Sequence, residues 1–299
     1  MKVQGCDCSI VIKTAHCEMD IPYSEETIRD AVSILQEEAA IEGDGVCRAA
    51  RKKCGVIGCV VTPLTIGTAP LLLYLAMGSM GKPVFVSETR DLFQYQLSLL
   101  PLEDTDCFDL IQDRCNERRL YENCRVQGFE FRFLRGETVK LKMDVCGEIA
   151  AITYQEGNLR PSGSAGVPHS DTFEKETGER FNGDCITFRI NGKEYKNIYG
   201  LTLSVKKEGG TKTELWIRRS LDKANDIPET IEELTISAQL LTDKYEKRHF
   251  GTFRITIKRL VLISDETSIN STDTVLGSLR YFVAGNVATD VFTSGENTL

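Results

Sequence analysis

The histidines and short motifs that could carry catalysis form no recognised active site. The chain has three histidines, His16, His169 and His249, and none has a nucleophile or carboxylate pattern beside it. No glycine-rich phosphate loop, His-Glu-x-x-His zinc motif or Gly-x-Ser-x-Gly elbow occurs. We therefore expect a protein without catalytic residues and without a cofactor.

The cysteines are numerous, and all but Cys185 lie in the first 150 residues. A metal site built from Cys6, Cys8, His16 and Cys17 is conceivable, but the spacing of two to four residues between paired cysteines in zinc sites is absent. Nothing at the N-terminus resembles a secretory signal, which favours reduced, mostly buried thiols. We expect no bound metal.

Composition limits the class of function. The chain has 299 residues, 41% hydrophobic and 27% charged, which is typical of a globular protein long enough for two domains. Its net charge of -8 argues against tight non-specific binding of nucleic acid, but suits a surface past which nucleic acid slides unbound. No apolar run approaches the roughly 18 residues that span a bilayer, so no membrane partner is expected.

The elements that would position a functional surface are mainly strands, and the clearest is a long hairpin. Apolar residues stand at every second position on both sides of a turn at 135–137, as in a half-buried strand pair. Such long strands commonly build an oligomer rather than close a monomer. The opposite, polar face of this hairpin carries Glu130, Arg132, Lys140, Lys142 and Asp144.

Further patterns predict the remaining elements. Alternation indicates strands within 186–205, 214–217, 234–240, 253–262 and 279–293, with an Asn191-Gly192 turn in the first of these ranges. Periodicity and capping residues predict helices at 24–42, 68–77 and 243–249. The basic run 48–53 and the acidic run 103–106 are interpreted as a solvated loop and a solvated turn.

A shift in composition divides the chain. Residues 148–179 are rich in Gly, Ser, Pro and charge, which is typical of a linker or an extended arm. We therefore predict one β unit with an added helix at 1–150, a linker or arm at 151–180, and a second β unit at 181–299. The two halves share an order of strand, helix, strand and closing hairpin, which indicates an internal repeat.

Several stretches resemble tail tube proteins of long-tailed bacteriophages, the major tail protein family. The resemblance lies in the basic, glycine-rich and leucine-rich run at 48–78 and in the hairpin at 123–147. It extends over 199–214, 227–242 and 279–293, and so covers most of the chain. The cysteine content and the predicted helix at 24–42 depart from the family pattern.

The resemblance implies a mainly β fold with short helices, built as tandem sandwich or barrel units that assemble side by side into rings. Stacked rings would enclose a lumen for DNA passage during genome ejection. Three chains with two units each, or six chains with one unit each, would complete a ring. The implied partners are further copies of the chain, other tail proteins and DNA that passes without specific binding. The implied location is the virion tail, after synthesis in the host cytoplasm.

Two groups of residues are candidates for roles in such a tube. The lumen-wall candidates are the five polar hairpin residues named above together with Asp290, and the subunit-contact candidates are Trp216, Arg218, Arg219 and Asp226, the last three in a loop predicted at 218–228. A β-sandwich module that binds carbohydrate or a receptor fits the strand alternation equally well. That alternative leaves the repeated element order and the long hairpins unexplained.

Overall fold

A computed structural model describes most of the chain. The described residues are 8–15, 17–37, 48–82, 84–87, 92–114, 117–154, 180–220, 227–242, 249–269 and 275–294. Within these ranges the fold is mainly β with one α-helix, and its large antiparallel sheet is not closed into a barrel. The mainly β prediction is confirmed.

The strands follow in chain order. The first half contains β1 (Cys8–Lys13), β2 (Glu18–Asp20), β3 (Glu25–Glu26), β4 (Arg29–Glu37), β5 (Arg48–Pro63), β6 (Gly78–Met80), β7 (Val84–Ser87), β8 (Leu92–Leu99), β9 (Phe108–Arg114), β10 (Glu117–Leu134) and β11 (Lys140–Tyr154). The second half contains β12 (Ile186–Ile190), β13 (Lys193–Glu194), β14 (Ile198–Lys206), β15 (Lys212–Ser220), β16 (Thr230–Thr242), β17 (His249–Ile269), β18 (Val275–Val283) and β19 (Val287–Ser294). The helix α1 (Ala69–Met77) lies between β5 and β6.

The chain groups into two compact units, each made of three separate stretches. The first contains Met1–Val60, Cys107–Arg125 and Asp144–Ser162, and the second contains Val61–Asp106, Val126–Met143 and Gly163–Leu299. The boundaries fall inside β5, β10 and β11, so this grouping by contact does not follow chain order. The predicted repeat units at 1–150 and 181–299 stay a prediction.

In the first unit, β1 pairs with β2 on one edge and with β9 on the other, and β9 pairs with the N-terminal part of β10. β4 pairs with β5 along its whole length, from Arg29 opposite Ile57 to Glu37 opposite Arg48. This pairing holds residues 29–37 in an extended backbone conformation. The helix predicted at 24–42 is therefore wrong in the described residues, because a cross-strand partner outweighs weak local helix propensity.

In the second unit, one row of strands runs in the order β10, β14, β15, β18 and β17. The N-terminal half of β17 pairs with β16 on one edge and β19 on the other, and β19 pairs with β8. The far edge of β8 holds β6 and β7, and β12 pairs with β16. β17 thus belongs to both rows.

The change of partner along β17 occurs at Arg259, which has a φ of 57°. Its carbonyl accepts a 2.8 Å hydrogen bond from the Ala284 N–H, and the adjoining turn packs so closely that a Cβ on Gly285 would lie 2.3 Å from the Lys258 carbonyl oxygen. The bend lets the two rows of strands pack face to face, with the rings of Phe133 and Phe253 6.3 Å apart.

The core of the second unit is aromatic and aliphatic. Phe129, Phe131 and Phe133 of β10 are buried, and successive ring centroids lie 5.5 and 5.8 Å apart. Phe181 packs edge-on against Phe253 at 5.0 Å. The predicted alternation of the long hairpin is thereby confirmed on its apolar side.

The helix predicted at 68–77 is confirmed as α1. Pro70 stands in its first turn, where the missing N–H costs nothing, and Gly78 ends it with a left-handed φ of 101°. Nearly all its side chains are buried, which explains an apolar sequence without a polar face. The exposed hydroxyl of Tyr74 donates a hydrogen bond to the Asp106 carboxylate.

Other predicted turns agree with the backbone. Asn191 and Gly192 have φ values of 50° and 81°, as a type I′ hairpin turn requires between β12 and β13. The acidic run at 103–106 is a turn that overlaps a short 3-10 segment at Leu102–Asp104, with its three acidic residues exposed and Thr105 buried. The strands predicted at 279–293 are present as β18 and β19, but the predicted closing hairpin is wrong, because β18 pairs with β15 and β17 whereas β19 pairs with β17 and β8.

Two predictions are corrected, and two predicted segments lie wholly or mostly outside the described residues. The basic run 48–53 is part of β5 rather than a loop, because it pairs with β4. Residues 148–154, assigned to the linker composition, continue β11. The rest of that segment, 155–179, and the body of the helix predicted at 243–249 lie outside the described residues, as does His169.

Candidate functional site

The polar side of the β10–β11 hairpin is the candidate surface indicated by the sequence. Arg132 is exposed, and Glu130, Lys140 and Lys142 are half-buried, on strands whose alternate residues are buried. These four residues belong to the second unit, whereas Asp144 lies further along β11 in the first unit. The hairpin therefore presents four of the six lumen-wall candidates within one unit.

The polar surface continues from β10 onto its neighbours. Glu130 stands opposite Ser204 of β14, and Ser204 stands opposite Glu214 of β15. In the next row, Arg132 stands opposite Thr202, and Thr202 stands opposite Trp216. Four adjacent strands, β10, β14, β15 and β18, thus share one outward face of mixed charge, which we call the polar sheet face.

The ion pairs on the polar sheet face differ in quality. Arg132 and Glu130 approach to 3.4 Å with the arginine side chain 54% exposed, so this pair contributes little to stability. Arg280 donates from the single nitrogen Nη2 to both carboxylate oxygens of Glu214, each at 2.8 Å, which is a closer contact than that of Arg132 with Glu130. These charges are mixed in sign, and such a face gives an anionic polymer no continuous basic track.

Trp216, a subunit-contact candidate, lies half-buried on the polar sheet face. It stands opposite Arg280 of β18, whose guanidinium carbon is 5.5 Å from the indole centroid. Such a cation–π contact contributes about 0.5–1 kcal/mol at an exposed site. Glu214, Arg280 and Trp216 therefore form a connected cluster within one chain.

The arginines predicted to lie in a loop are in a strand. Arg218 and Arg219 belong to β15, paired with Ser278 and Gly277 of β18, and Arg219 also contacts Asp265 at 3.3 Å. Residues 218–220 of the predicted loop are therefore part of β15, because they pair with β18. Arg218 is exposed, and Asp226 lies outside the described residues.

Asp290 is placed apart from the other lumen-wall candidates. It lies on β19 opposite Arg254 of β17 and Gln96 of β8, and accepts a 3.1 Å hydrogen bond from the Gln94 side chain. β19 pairs with β17 and β8 rather than with the β10–β14–β15 row. The structure therefore does not bring Asp290 together with Glu130 and Arg132.

A buried lysine, which sequence reasoning missed, stabilises the end of α1. Lys207 is 1% exposed, and its Nζ donates a 3.3 Å hydrogen bond to the carbonyl of Met77, the last residue of the helix. Burial lowers the pKa of Lys207 to about 8. A lysine beside the C-terminal carbonyls of a helix complements its dipole, which indicates a structural role.

The first unit contains a network of paired charges. Glu26 accepts hydrogen bonds from Gln112 Nε2 at 3.0 Å and from Arg114 at 2.5 Å. Arg119 donates to Asp30 at 3.0 Å and to Glu117 at 2.8 Å. Because each of these carboxylates has a cationic partner, the arrangement is typical of a structural ion network.

The expectation of mostly buried thiols is wrong for the cysteines whose side chains are described, because Cys124 alone among them is buried, Cys107 is exposed and the others are half-buried. Cys124 is fully buried, and burial raises the pKa of its thiol to about 12. Cys17, Cys59, Cys107 and Cys185 carry free thiols. Across the described part of the chain, no cluster of His, Cys, Asp and Glu could hold a metal ion. Cys6 and His16 lie outside that part.

Exposed apolar side chains on three strands are a second feature that sequence reasoning missed. Val84, Phe85 and Val86 are exposed on β7, and Val261, Ile263 and Phe282 are exposed on β17 and β18. Of these residues, Phe282 alone could have been recognised as exposed from the sequence. It lies between Tyr281 and Val283, which the alternation of apolar residues places on the buried face.

No helix among the described residues has the length and apolar character needed to cross a membrane. Comparison with known proteins does not supply a family. No family model matches the chain, and no curated protein sequence matches it.

Proposed function

We propose that this chain is a structural, non-catalytic subunit of a viral tail tube. The observation that carries the proposal is the long β10–β11 hairpin. One side of it buries Phe129, Phe131 and Phe133, and the opposite side carries polar residues that face solvent. A strand pair of this length, continued into a polar sheet face four strands wide, suits the wall of an assembled channel. The sequence resemblance over most of the chain supports the same role.

The proposed tube forms from rings of the chain, stacked along one axis. Side-by-side closure would pair strand edges that otherwise invite uncontrolled association. Three copies with two units each, or six copies with one unit each, would complete a ring. Glu130, Arg132, Lys140 and Lys142 are the proposed lumen residues, and Asp144 and Asp290 remain secondary candidates.

The molecule proposed to pass through the lumen is DNA, which is conducted during genome ejection without specific binding. The net charge of -8 and the alternating charges of the polar sheet face support passage rather than retention, because retention requires clustered Lys and Arg. Other tail proteins would contact the ends of the tube. The corresponding location is the tail of a virion assembled in the host cytoplasm.

Electron microscopy with light scattering tests the proposal directly. The purified full-length chain should form rings or tubes with a central hole, and light scattering of isolated rings should give a mass of three or six chains. A stable monomer at high protein concentration would refute the tube role. A gel-shift titration with duplex DNA should show no complex at physiological salt.

A carbohydrate- or receptor-binding module is the second candidate. The observation that favours it is Trp216, an aromatic side chain held by Arg280 on a polar sheet face. A glycan array with the wild-type chain and a Trp216→Ala variant separates the two functions. Glycan binding that is lost in the variant, without ring formation by the wild type, would favour the module.

A further inference from the structure

Two regions at strand edges of the second unit expose apolar side chains. The first is the outer edge of β7, which carries the exposed side chains of Val84, Phe85 and Val86. Successive strand residues point to opposite faces, so this strand is apolar and exposed on both of its faces. Phe85 is held edge-on against Phe93, with ring centroids 5.3 Å apart. Among the described residues β7 pairs with β8 alone, which leaves its outer edge without a strand partner. We call this region the β7 edge.

The second edge is formed by β17 beyond its bend. Val261 stands opposite Phe282 of β18, and Val261, Ile263 and Phe282 are each about half exposed. β16 begins at Thr230, opposite Val261, so within the described chain β17 continues past Leu262 with a strand partner on the β18 side alone. Phe282 also stands opposite Glu214 of β15, so Val261 and Phe282 lie where the polar sheet face reaches this edge. We call this region the β17 edge.

The two edges are different surfaces of the same unit. β8 and β19 stand between β7 and β17 in the strand order. A contact between two unlike surfaces of identical chains is heterologous, and it forms a closed ring when the rotation between neighbours allows. A long exposed apolar edge on a chain that remains a monomer would instead be an aggregation site.

The amount of apolar surface suits a contact between two copies. A fully exposed aromatic side chain has about 150–250 Å² of surface, so three half-exposed residues give each edge roughly 200–300 Å². A stable interface buries about 800 Å² per partner, of which a little over half is apolar. Each edge therefore supplies about half of the apolar surface that such an interface needs. Lys82 beside β7 and Glu266 on β17 are both exposed and opposite in charge.

We propose that the β7 edge of one copy packs against the β17 edge of the next copy. This inference rests on the proposed function and identifies which surfaces of the chain would join neighbours in a ring. The partner is a second copy of this chain, and Val84, Val86, Val261 and Ile263 are the central contact residues.

Two double variants of the full-length chain test the proposal. Val84→Glu with Val86→Glu places charges on the β7 edge, and Val261→Glu with Ile263→Glu does so on the β17 edge. Ile57→Glu is the matched control, because Ile57 is an exposed strand residue in the other unit. Circular dichroism and thermal unfolding establish that each variant is folded, and the single changes at Val84 and Ile263 replace any double variant that is not.

The expected result is complementation. Each edge variant alone should be monomeric by light scattering, whereas the wild type and Ile57→Glu should form rings. An equimolar mixture of the two edge variants retains one intact pair of edges, so it should give heterodimers of twice the monomer mass and no rings.

Other outcomes overturn the inference. Rings formed by either edge variant would show that these edges do not join copies, while the tube role would stand. A homodimer of one edge variant alone would indicate contact between like edges. Absence of rings from the wild type would refute both the edge contact and the proposed function.

Discussion

Replacement of Lys207 by Met should change the pH dependence of stability. The lysine is buried beneath the end of α1, and its Nζ donates to the Met77 carbonyl oxygen. Methionine has a similar length but carries neither charge nor donor. The variant therefore removes a titrating group and leaves the Met77 carbonyl without this hydrogen bond at every pH.

The magnitude follows from the pKa of Lys207, which burial lowers from 10.5 to about 8. Below pH 8 the lysine is protonated in both the folded and unfolded states, so the cost of burying its charge is fully present. Between pH 8 and 10.5 the folded state releases the proton while the unfolded state retains it, and stability rises with pH. One pKa unit corresponds to about 1.4 kcal/mol, and after a discount for solvent screening we expect a gain of about 1–2 kcal/mol.

Urea unfolding followed by fluorescence of Trp216, the single tryptophan, measures this effect. The unfolding free energy of the wild type minus that of Lys207→Met should increase by about 1–2 kcal/mol between pH 7 and pH 10. Lys206→Met is the control, because it removes the same charged side chain at a neighbouring exposed position. A wild-type minus Lys207→Met difference that stays constant to within about 0.3 kcal/mol would refute the reasoning.

Three further predictions concern packing. Phe131→Ala should lower the unfolding free energy by about 3–5 kcal/mol in urea titrations, since Phe131 is fully buried, whereas Arg132→Ala should change it by less than about 1 kcal/mol. Gly183→Ala should destabilise the fold and lower its melting temperature, because a Cβ would lie 1.8 Å from the Leu134 carbonyl oxygen; an unchanged melting temperature would contradict this close packing. Arg280→Ala should lower stability by about 1 kcal/mol through loss of its contacts with Glu214 and Trp216, and an unchanged Trp216 emission spectrum would argue against the indole contact.

The elements that sequence reasoning recovered correctly depend on local signals. The long hairpin was predictable because buried and polar residues alternate without interruption on both sides of its turn. α1 was predictable from an apolar run with Pro70 near its start and Gly78 at its end, and the β12–β13 turn from Asn191-Gly192. In each case the decisive residues belong to one continuous stretch of the chain, the longest from Phe129 to Val145.

The errors have a common cause in long-range pairing. The spacing of Ile28, Val32 and Leu35 fits a helix, yet residues 29–37 form a strand because β5 supplies a complete antiparallel partner. Arg218 and Arg219 were assigned to a loop, but β18, some 60 residues further along the chain, extends the ladder to Ser220. Local patterns contain no information about such partners.

The sequence alone determined that the chain is mainly β and which residues of the long hairpin face water. The tertiary structure decided which outward residues share a surface, because that depends on strand order and register. It separated Asp290 from the hairpin, joined Glu214, Trp216 and Arg280, and buried Lys207 under α1. It also left the side chains of Val261 and Ile263 exposed, since the left-handed backbone at Arg259 reverses the alternation of buried and exposed positions along β17.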